Sequence, residues 1–596
     1  MGSVVATLSR RPPVTDDGVR RAIAAAPHRG STVDVAIHGS CALGISTSAD
    51  PVDAWLARTD DLAVALTGNL DNVEELAAQL HAEGRPTLSA DPACVVAELF
   101  RLHGESAPSR MRGVFAAVVT DGSRLWAFRD QVGYRTLFHR VDGAGATVAS
   151  EAKQVVAGSG ISKEPDLAVL ERQFFGNYGN ATSSALSGVA RLPKATILRI
   201  DGRRAETRRY WQPEALLETA RYSPEEIQAR FDELMTQACA RTLVGPDAVS
   251  LSGGIDSPAI AAYAAPEHER RFGEPLAALT AVFPDQPAVD ELDYVRIVTN
   301  ELGMPLHTYE RTSRPLEGLE RWVDLFDNPV PVFFWVDADS HYRTARELGI
   351  RNVLNGAVAE LVIDMRRYLV AHLVRTGRLG ALREEIGRQR ERGWSRYGVV
   401  RQIGTAFMPR SLHSLYLSRV PPRRGHRVPP WVDLAKVNER AIRDVPASRD
   451  LWRAGQVGAF TGPGLSVEAN EIIQEVCGVR ARYPWADVDL WEFFLSLPAE
   501  VKFPDLQTKS LVRRLLRGRV PDEILDRKDK TIFNDSLIAR AEYETFRTWL
   551  IDPPVRMPGV DYDVLAARIN GEEMGVFEYG WAKDLAAFHA FMDPWS

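Results

Sequence analysis

Cysteine is scarce in this 596-residue chain. Only Cys41, Cys94, Cys239 and Cys477 occur, far apart and never as C-x-x-C. That excludes a disulfide frame and a zinc site built on paired thiols, and it predicts reduced, mostly buried cysteines. The 12 histidines, His341 and His426 among them, show no metal-ligand spacing and read as surface or satisfied core residues. No uninterrupted apolar run could span a bilayer, and the first residues, with Arg10-Arg11 and Asp16-Asp17, contain no apolar signal core. Charge of one sign is equally scarce. The 72 Lys and Arg against 79 Asp and Glu leave a net charge of −7, which gives no general nucleic-acid footprint. A local basic surface such as Arg423-Arg424 stays open. No internal repeat or low-complexity tract stands out. These absences predict a cytoplasmic protein with neither membrane nor nucleic acid as partner. With 45% hydrophobic residues the length can supply more than one core, and roughly two to four domains are expected.

What is present is a phosphate-type loop. Residues 250–257 read Ser-Leu-Ser-Gly-Gly-Ile-Asp-Ser. An apolar strand ending at Leu251 runs into a tight turn, Ser252-Gly253-Gly254, whose N–H groups can face an anion. A helix then begins near Pro258, and its N-terminus adds positive field. A carboxylate beside bound phosphates is repulsive unless a metal intervenes, so Asp256 reads as a Mg²⁺ ligand, with Ser250, Ser252 and Ser257 as phosphate contacts. The spacing is not that of a P-loop, because no Gly-Lys-Ser/Thr follows. The loop resembles that of ATP pyrophosphatases, which split ATP between its α and β phosphates. The competing account is a Gly-Gly turn with a polar helix cap.

The chain to about residue 210 reads as β-rich. Residues 33–38, 62–67, 113–119 and 124–129 are short apolar or alternating runs, and 72–80 and 92–100 have helical spacing. A boundary follows at Arg208 to Pro213. Ser223-Pro-Glu-Glu226 then opens a helix with a capping box. Strands at 248–251, 276–283 and 352–354, with a helix at 292–301, predict an open parallel sheet with ligands at its carboxyl ends. After residue 366 the pattern is almost entirely helical and arginine-rich.

Landmarks in one order across nearly the whole chain resemble the asparagine synthetase superfamily. His28-Arg-Gly30, Thr67 to Asn72, Arg129-Asp-Gln-Val-Gly133 and Ala149 to Lys153 are similar to its glutaminase-like domain. The 250–257 loop, Asn355-Gly356, Arg482 to Asp487 and Arg527-Lys-Asp-Lys530 are similar to its synthetase domain. The resemblance implies an α/β chain of two domains. Residues 1–210 would form an α+β, Ntn-hydrolase-like glutaminase-type sandwich. Residues 211–596 would form an ATP-pyrophosphatase domain with a parallel sheet and a helical C-terminal part. It implies ATP and Mg²⁺ as cofactors. Nucleotide contacts would come from Ser250, Leu251, Ser252, Gly253, Gly254, Asp256, Ser257, Asn355 and Gly356, and metal ligation from Asp256 and Glu360. Lys530 would neutralise charge on the leaving phosphates and acyl-adenylate, so Asp256, Glu360 and Lys530 form the catalytic set. A surface glutamate and a solvated charge run are the competing accounts of Glu360 and Lys530. Asp487 reads as structural or substrate-proximal.

Two departures narrow the branch. A glutaminase of this superfamily needs a cysteine directly after the initiator Met, and Met1-Gly2-Ser3 offers none. Ser3 as substitute would require removal of two residues, and Thr67 stands where an oxyanion-stabilising asparagine is usual. Ammonia from glutamine is therefore not expected as nucleophile. Ala357 stands where asparagine synthetases have a glutamate and β-lactam synthetases a tyrosine, and alanine does neither job. Tyr368 to Arg383 and the arginine-rich helices beyond are similar to lasso peptide cyclases, which are macrolactam synthetases. That branch implies adenylation of an Asp or Glu side chain of a precursor peptide and ring closure by the peptide's own α-amine. It leaves open a leader-peptide-binding protein and a leader peptidase as partners. Phe333, Phe334 and Trp335 would line the peptide pocket or pack in a core, and residues 365–443 would cover the pocket or engage the precursor. A β-lactam-forming or small-acid amide ligase, and a non-catalytic scaffold of the same fold, remain as alternatives.

Overall fold

The computed structural model describes the chain apart from residues 1, 49–51, 88–90, 177–180, 312–313, 315, 330–334, 364–365, 367, 392–399, 401–402, 405–406, 410, 413–414, 416–427, 438–449, 463, 528–541, 573 and 596. Its first part is a sandwich of two antiparallel sheets. The strands are β1 (Gly2–Ser9), β2 (Thr32–His38), β3 (Cys41–Thr47), β4 (Ala54–Arg58), β5 (Ala63–Leu70), β6 (Gly113–Thr120), β7 (Arg124–Arg129), β8 (Phe138–Val141), β9 (Gly145–Ala149), β10 (Ala190–Arg191), β11 (Thr196–Asp201) and β12 (Arg204–Arg209). One sheet has the order β10-β8-β9-β1-β3-β2 and the other β12-β11-β7-β6-β5-β4. Alternation decides which side chains meet between them. Val4, Ala6 and Leu8 of β1 face Ala63, Ala65, Ala116, Val118 and Ala127, all buried. The opposite face of the second sheet carries Val64, Leu66, Phe115, Val119 and Phe128. It is closed by the helices Val73–Ala82 and Pro92–His103. Asp91 caps the second of these, accepting from Ala93 N–H at 2.8 Å.

The helix Pro224–Thr242 opens the second part, and its capping box forms as the sequence predicts. Ser223 Oγ accepts from Glu226 N–H at 3.2 Å, and Glu226 Oε2 accepts from Ser223 N–H at 2.7 Å. A parallel sheet follows, built from β13 (Asp247–Ser250), β14 (Ala277–Val282), β15 (Leu306–Glu310), β16 (Asn352–Leu354) and β17 (Arg480–Arg482) in the order β15-β14-β13-β16-β17. The chain leaves β13 first toward β14 and β15, then returns to its other side at β16. The gap between β13 and β16 is thus the switch point at which open α/β sheets bind ligands. Beyond residue 366 the described residues are almost entirely helical, as expected, with β17 as a three-residue exception. Its sequence, Arg-Ala-Arg, gives no strand signal. It is a strand because it pairs with β16, Leu354 opposite Arg482, and because Arg482 is buried against Asp71.

A helix of the second part, Leu465–Cys477, carries the most deeply buried charge pairs between the two parts. Glu468, Glu471 and Glu475, spaced three and four residues apart, share one face and enter the sandwich domain. Glu471 Oε1 accepts from Arg29 Nη1 at 2.9 Å and from Arg135 Nη1 at 3.1 Å, and its Oε2 accepts from Thr136 N–H at 3.2 Å. Glu475 pairs with Arg135, and Glu468 with Arg191 at 3.0 Å and Arg129 at 3.4 Å. Burial opposes the charge on Arg29, but Glu471, Glu151 and Glu475 outweigh it and raise its pKa. Removing one partner of such a cluster strands the others. Glu471→Ala is therefore expected to destabilise the protein by about 3–5 kcal/mol, as measured by chemical denaturation. Glu471→Gln, which keeps acceptors for Arg29 and Arg135, should cost less.

Candidate active site

Of the residues singled out from the sequence, the 250–257 loop, Asn355, Gly356 and Glu360 meet at the switch point. β13 ends at Ser250, and Leu251 N–H donates to Leu279 O at 3.0 Å, which holds the start of the turn to β14. The helix Asp256–Phe272 begins immediately after the turn, so its first N–H groups point into the loop. Ser257 Oγ ties the turn closed, accepting from Ser252 N–H and lying 3.0 Å from Ser252 Oγ. The N–H groups of the two glycines, expected to face an anion freely, are engaged instead. Gly253 N–H donates to Glu291 Oε2 at 3.0 Å, and Gly254 N–H to Ser252 Oγ at 3.4 Å. Arg527 closes over the same glycine, its Nη1 donating to Gly253 O and to Glu291 Oε1, each at 2.8 Å, while its guanidinium lies 4.1 Å from the Tyr294 ring centroid. A β-carbon on Gly253 would stand 2.5 Å from that Nη1 and 3.0 Å from Tyr294 Cβ, so any side chain there would displace the Arg527 guanidinium.

Across the switch point, the loop after β16 is anchored by Asn355. Its N–H donates to Arg482 O and its Oδ1 accepts from Ala357 N–H, both at 2.8 Å. Gly356 lies against the start of the Asp256 helix, where an added β-carbon would be 3.1 Å from Asp256 Cβ and from Ser257 N. Asp256 itself is steadied by Trp485, whose indole N–H donates to its carbonyl at 2.9 Å. Val358 adopts a left-handed backbone, φ 67°, which a β-branched side chain strongly disfavours. The strained turn delivers Glu360 at the head of the next helix, Glu360–Ile363.

Asp256 and Glu360 converge on one cation, the ammonium of Lys509. Lys509 Nζ lies 2.5 Å from Asp256 Oδ2 and 3.5 Å from Glu360 Oε1. Two carboxylates from different loops that share a cation in this way form a donor set suited to Mg²⁺, a hard ion that takes oxygen ligands. Sequence reasoning missed Lys509, because Gln507-Thr-Lys-Ser510 carries no motif it recognised. Lys530 and the aromatic positions Phe333 and Phe334 lie outside the described residues, as does the side chain of Trp335. Asp487 caps the helix Val488–Ser496 and pairs with Arg241 at 2.9 Å; burial raises its pKa despite that partner. Among the described residues no group of three or more His, Cys, Asp or Glu forms a metal cluster, and no helix is long and apolar enough to cross a membrane. The four cysteines are free thiols, three of them buried.

The start of the first domain is tightly packed. Ser3 is fully buried, its Oγ 2.8 Å from Ser46 Oγ and accepting from Gln154 Nε2 at 3.2 Å. Thr67 Oγ1 lies 3.1 Å from Gly2 O and 3.0 Å from Asp53 O. A β-carbon on Gly2 would be 2.7 Å from Ala54 Cβ and 2.8 Å from Ser46 O, so position 2 has no room for a side chain.

A serine- and glycine-rich loop at the switch point of a parallel sheet, behind an Ntn-type sandwich, defines an ATP-dependent amide ligase of the glutamine-amidotransferase type of architecture. The chain belongs to the asparagine synthase family, whose profile matches residues 230–579; that of the glutamine amidotransferase domain matches residues 1–211. It is 24% identical over 490 residues to asparagine synthetase [glutamine-hydrolyzing] 3 of Bacillus subtilis, covering 79% of this chain and 75% of that protein. It is 28% identical over 463 residues to a putative asparagine synthetase of Mycobacterium tuberculosis, covering 71% and 67%. Over 273 residues it is 28% identical to amidase chyE of Penicillium rubens, covering 43% of this chain and 40% of that one.

Gly2→Cys supplies the thiol that the sequence lacks, in a place that cannot hold it. It is expected to lower the melting temperature, since overpacking costs about 1–3 kcal/mol, and to release no glutamate from glutamine. Glutamate release by the wild type or by this variant would show a working glutaminase.

Proposed function

We propose that the protein is a lasso-type macrolactam synthetase. It adenylates an Asp or Glu side chain of a precursor peptide and closes an isopeptide ring with the peptide's α-amine. The observation that carries the adenylation step is the convergence of Asp256 and Glu360 on one cation position beside the Ser252–Ser257 turn. The precursor carboxylate attacks the α-phosphorus of ATP and pyrophosphate leaves. The amine then attacks the acyl carbon and AMP leaves, with one proton lost from the amine. Ser252, Ser257 and the helix N-terminus at Asp256 bind phosphate oxygens. Asp256 and Glu360 would hold Mg²⁺, which would supply positive charge beside the phosphates.

An intramolecular amine as nucleophile is supported by two features. Gly2 is packed where a side chain would clash, which speaks against ammonia released from glutamine as the nucleophile. Ala357 is exposed and leaves open the space a basic side chain would fill, suiting a bulky peptide better than ammonia. This reading leaves open a leader-peptide-binding protein and a leader peptidase as partners, and sets the reaction in the cytoplasm.

The reading is tested by incubating purified protein with ATP, Mg²⁺ and a candidate precursor. The expected products are AMP, pyrophosphate and the peptide less one water. Asp256→Ala should lower pyrophosphate release by about a hundredfold or more while the protein remains folded. Amidation of a small acid without any dehydrated peptide would replace this reading by a small-substrate ligase. No pyrophosphate from any carboxylate substrate would leave only a scaffold.

A further inference from the structure

The ammonium of Lys509 and a divalent cation compete for the same oxygens. Lys509 Nζ is 2.5 Å from Asp256 Oδ2 and 3.5 Å from Glu360 Oε1. A magnesium ion binds carboxylate oxygen at about 2.0–2.1 Å, inside the volume the ammonium fills, and like charges so close repel. Both carboxylates spring from held backbone positions. Asp256 sits at a helix start held by Trp485 and packed on Gly356, and Glu360 follows the strained turn at Val358. The lysine is set in place by its backbone. Lys509 is left-handed, φ 56° and ψ 34°, immediately before the helix Ser510–Leu515, an uncommon conformation for a residue with a β-carbon. Its long side chain can leave the carboxylates by rotamer change alone, with the backbone in place.

We propose that Lys509 keeps the Asp256 and Glu360 pair closed to free divalent metal. Metal enters only with the polyphosphate of ATP, whose oxygens take over the ammonium as the ion takes over the carboxylates. The site thereby avoids capturing metal unproductively, and the same lysine that guards it becomes a phosphate contact once ATP is bound. This rests on reading Asp256 and Glu360 as metal ligands.

The test is an electron paramagnetic resonance titration of nucleotide-free protein with Mn²⁺. Lys509→Met is expected to bind one Mn²⁺ at least tenfold more tightly than the wild type. Lys509→Arg, which keeps the positive charge, should behave as the wild type does. Adding Asp256→Asn to Lys509→Met should abolish the gain. Equal affinity of the wild type and Lys509→Met overturns the proposal, and so does a gain that survives Asp256→Asn. If Lys509→Met melts below the assay temperature, Lys509→Gln supplies the same comparison. The outcome is separable from the function. Pyrophosphate release without a difference in Mn²⁺ affinity keeps the ligase and removes the guard. The reverse result keeps the guard and removes the ligase.

Discussion

Two arginines taken out of water, Arg29 and Arg135, set the terms on which this molecule holds together. Arg29 is fully buried and Arg135 nearly so. Neither finds enough carboxylates within its own domain. Arg29 has Glu151 there and Arg135 has Asp53, but both also depend on Glu471, and Arg135 on Glu475, from a helix that belongs to the synthetase half. A buried guanidinium is tolerated only where its charge is matched, so the domains specify each other's position by charge pairing. A purely apolar seam would tolerate sliding; this one does not.

That fixed seam matters because the site is assembled from loops separated by more than a hundred residues. The turn after β13 and the loop after β16 face each other only because both strands lie in one sheet on either side of its switch point. Local chemistry then finishes the site. Ser257 closes the turn on Ser252, Glu291 and Arg527 grip Gly253 from the side, and Trp485 fixes the helix that presents Asp256. Each of these is a hydrogen bond to backbone or to a short side chain, so the loops are set before any ligand arrives.

The parts of this arrangement readable in the sequence are those whose cause is local. Strand β7, the Ser223 capping box and the turn from Ser252 to Ser257 follow from alternation, capping and glycine placement within a few residues. Glu360 was legible by resemblance. Lys509 was not, because its meaning lies in a carboxylate 253 residues earlier in the chain. Glu468, Glu471 and Glu475 could have been noticed as an acidic stripe on an otherwise apolar helix. Their partners, at separations up to 442 residues, could not. The engagement of Gly253 N–H by Glu291 escaped for the same reason, since 38 residues separate them and no periodic pattern links the two.

Arg482 ties these themes together. Its carbonyl accepts from Asn355 N–H at 2.8 Å, at the root of the loop that carries Glu360, while its side chain reaches into the sandwich and pairs with Asp71. Burial pushes the Asp71 carboxyl up to about 6, against the pull of Arg482. A single residue thus has its main chain at the candidate site and its charge in the sandwich domain. The sandwich thereby holds β17, the strand from which the root of the Glu360 loop hangs, whatever chemistry the domain itself performs.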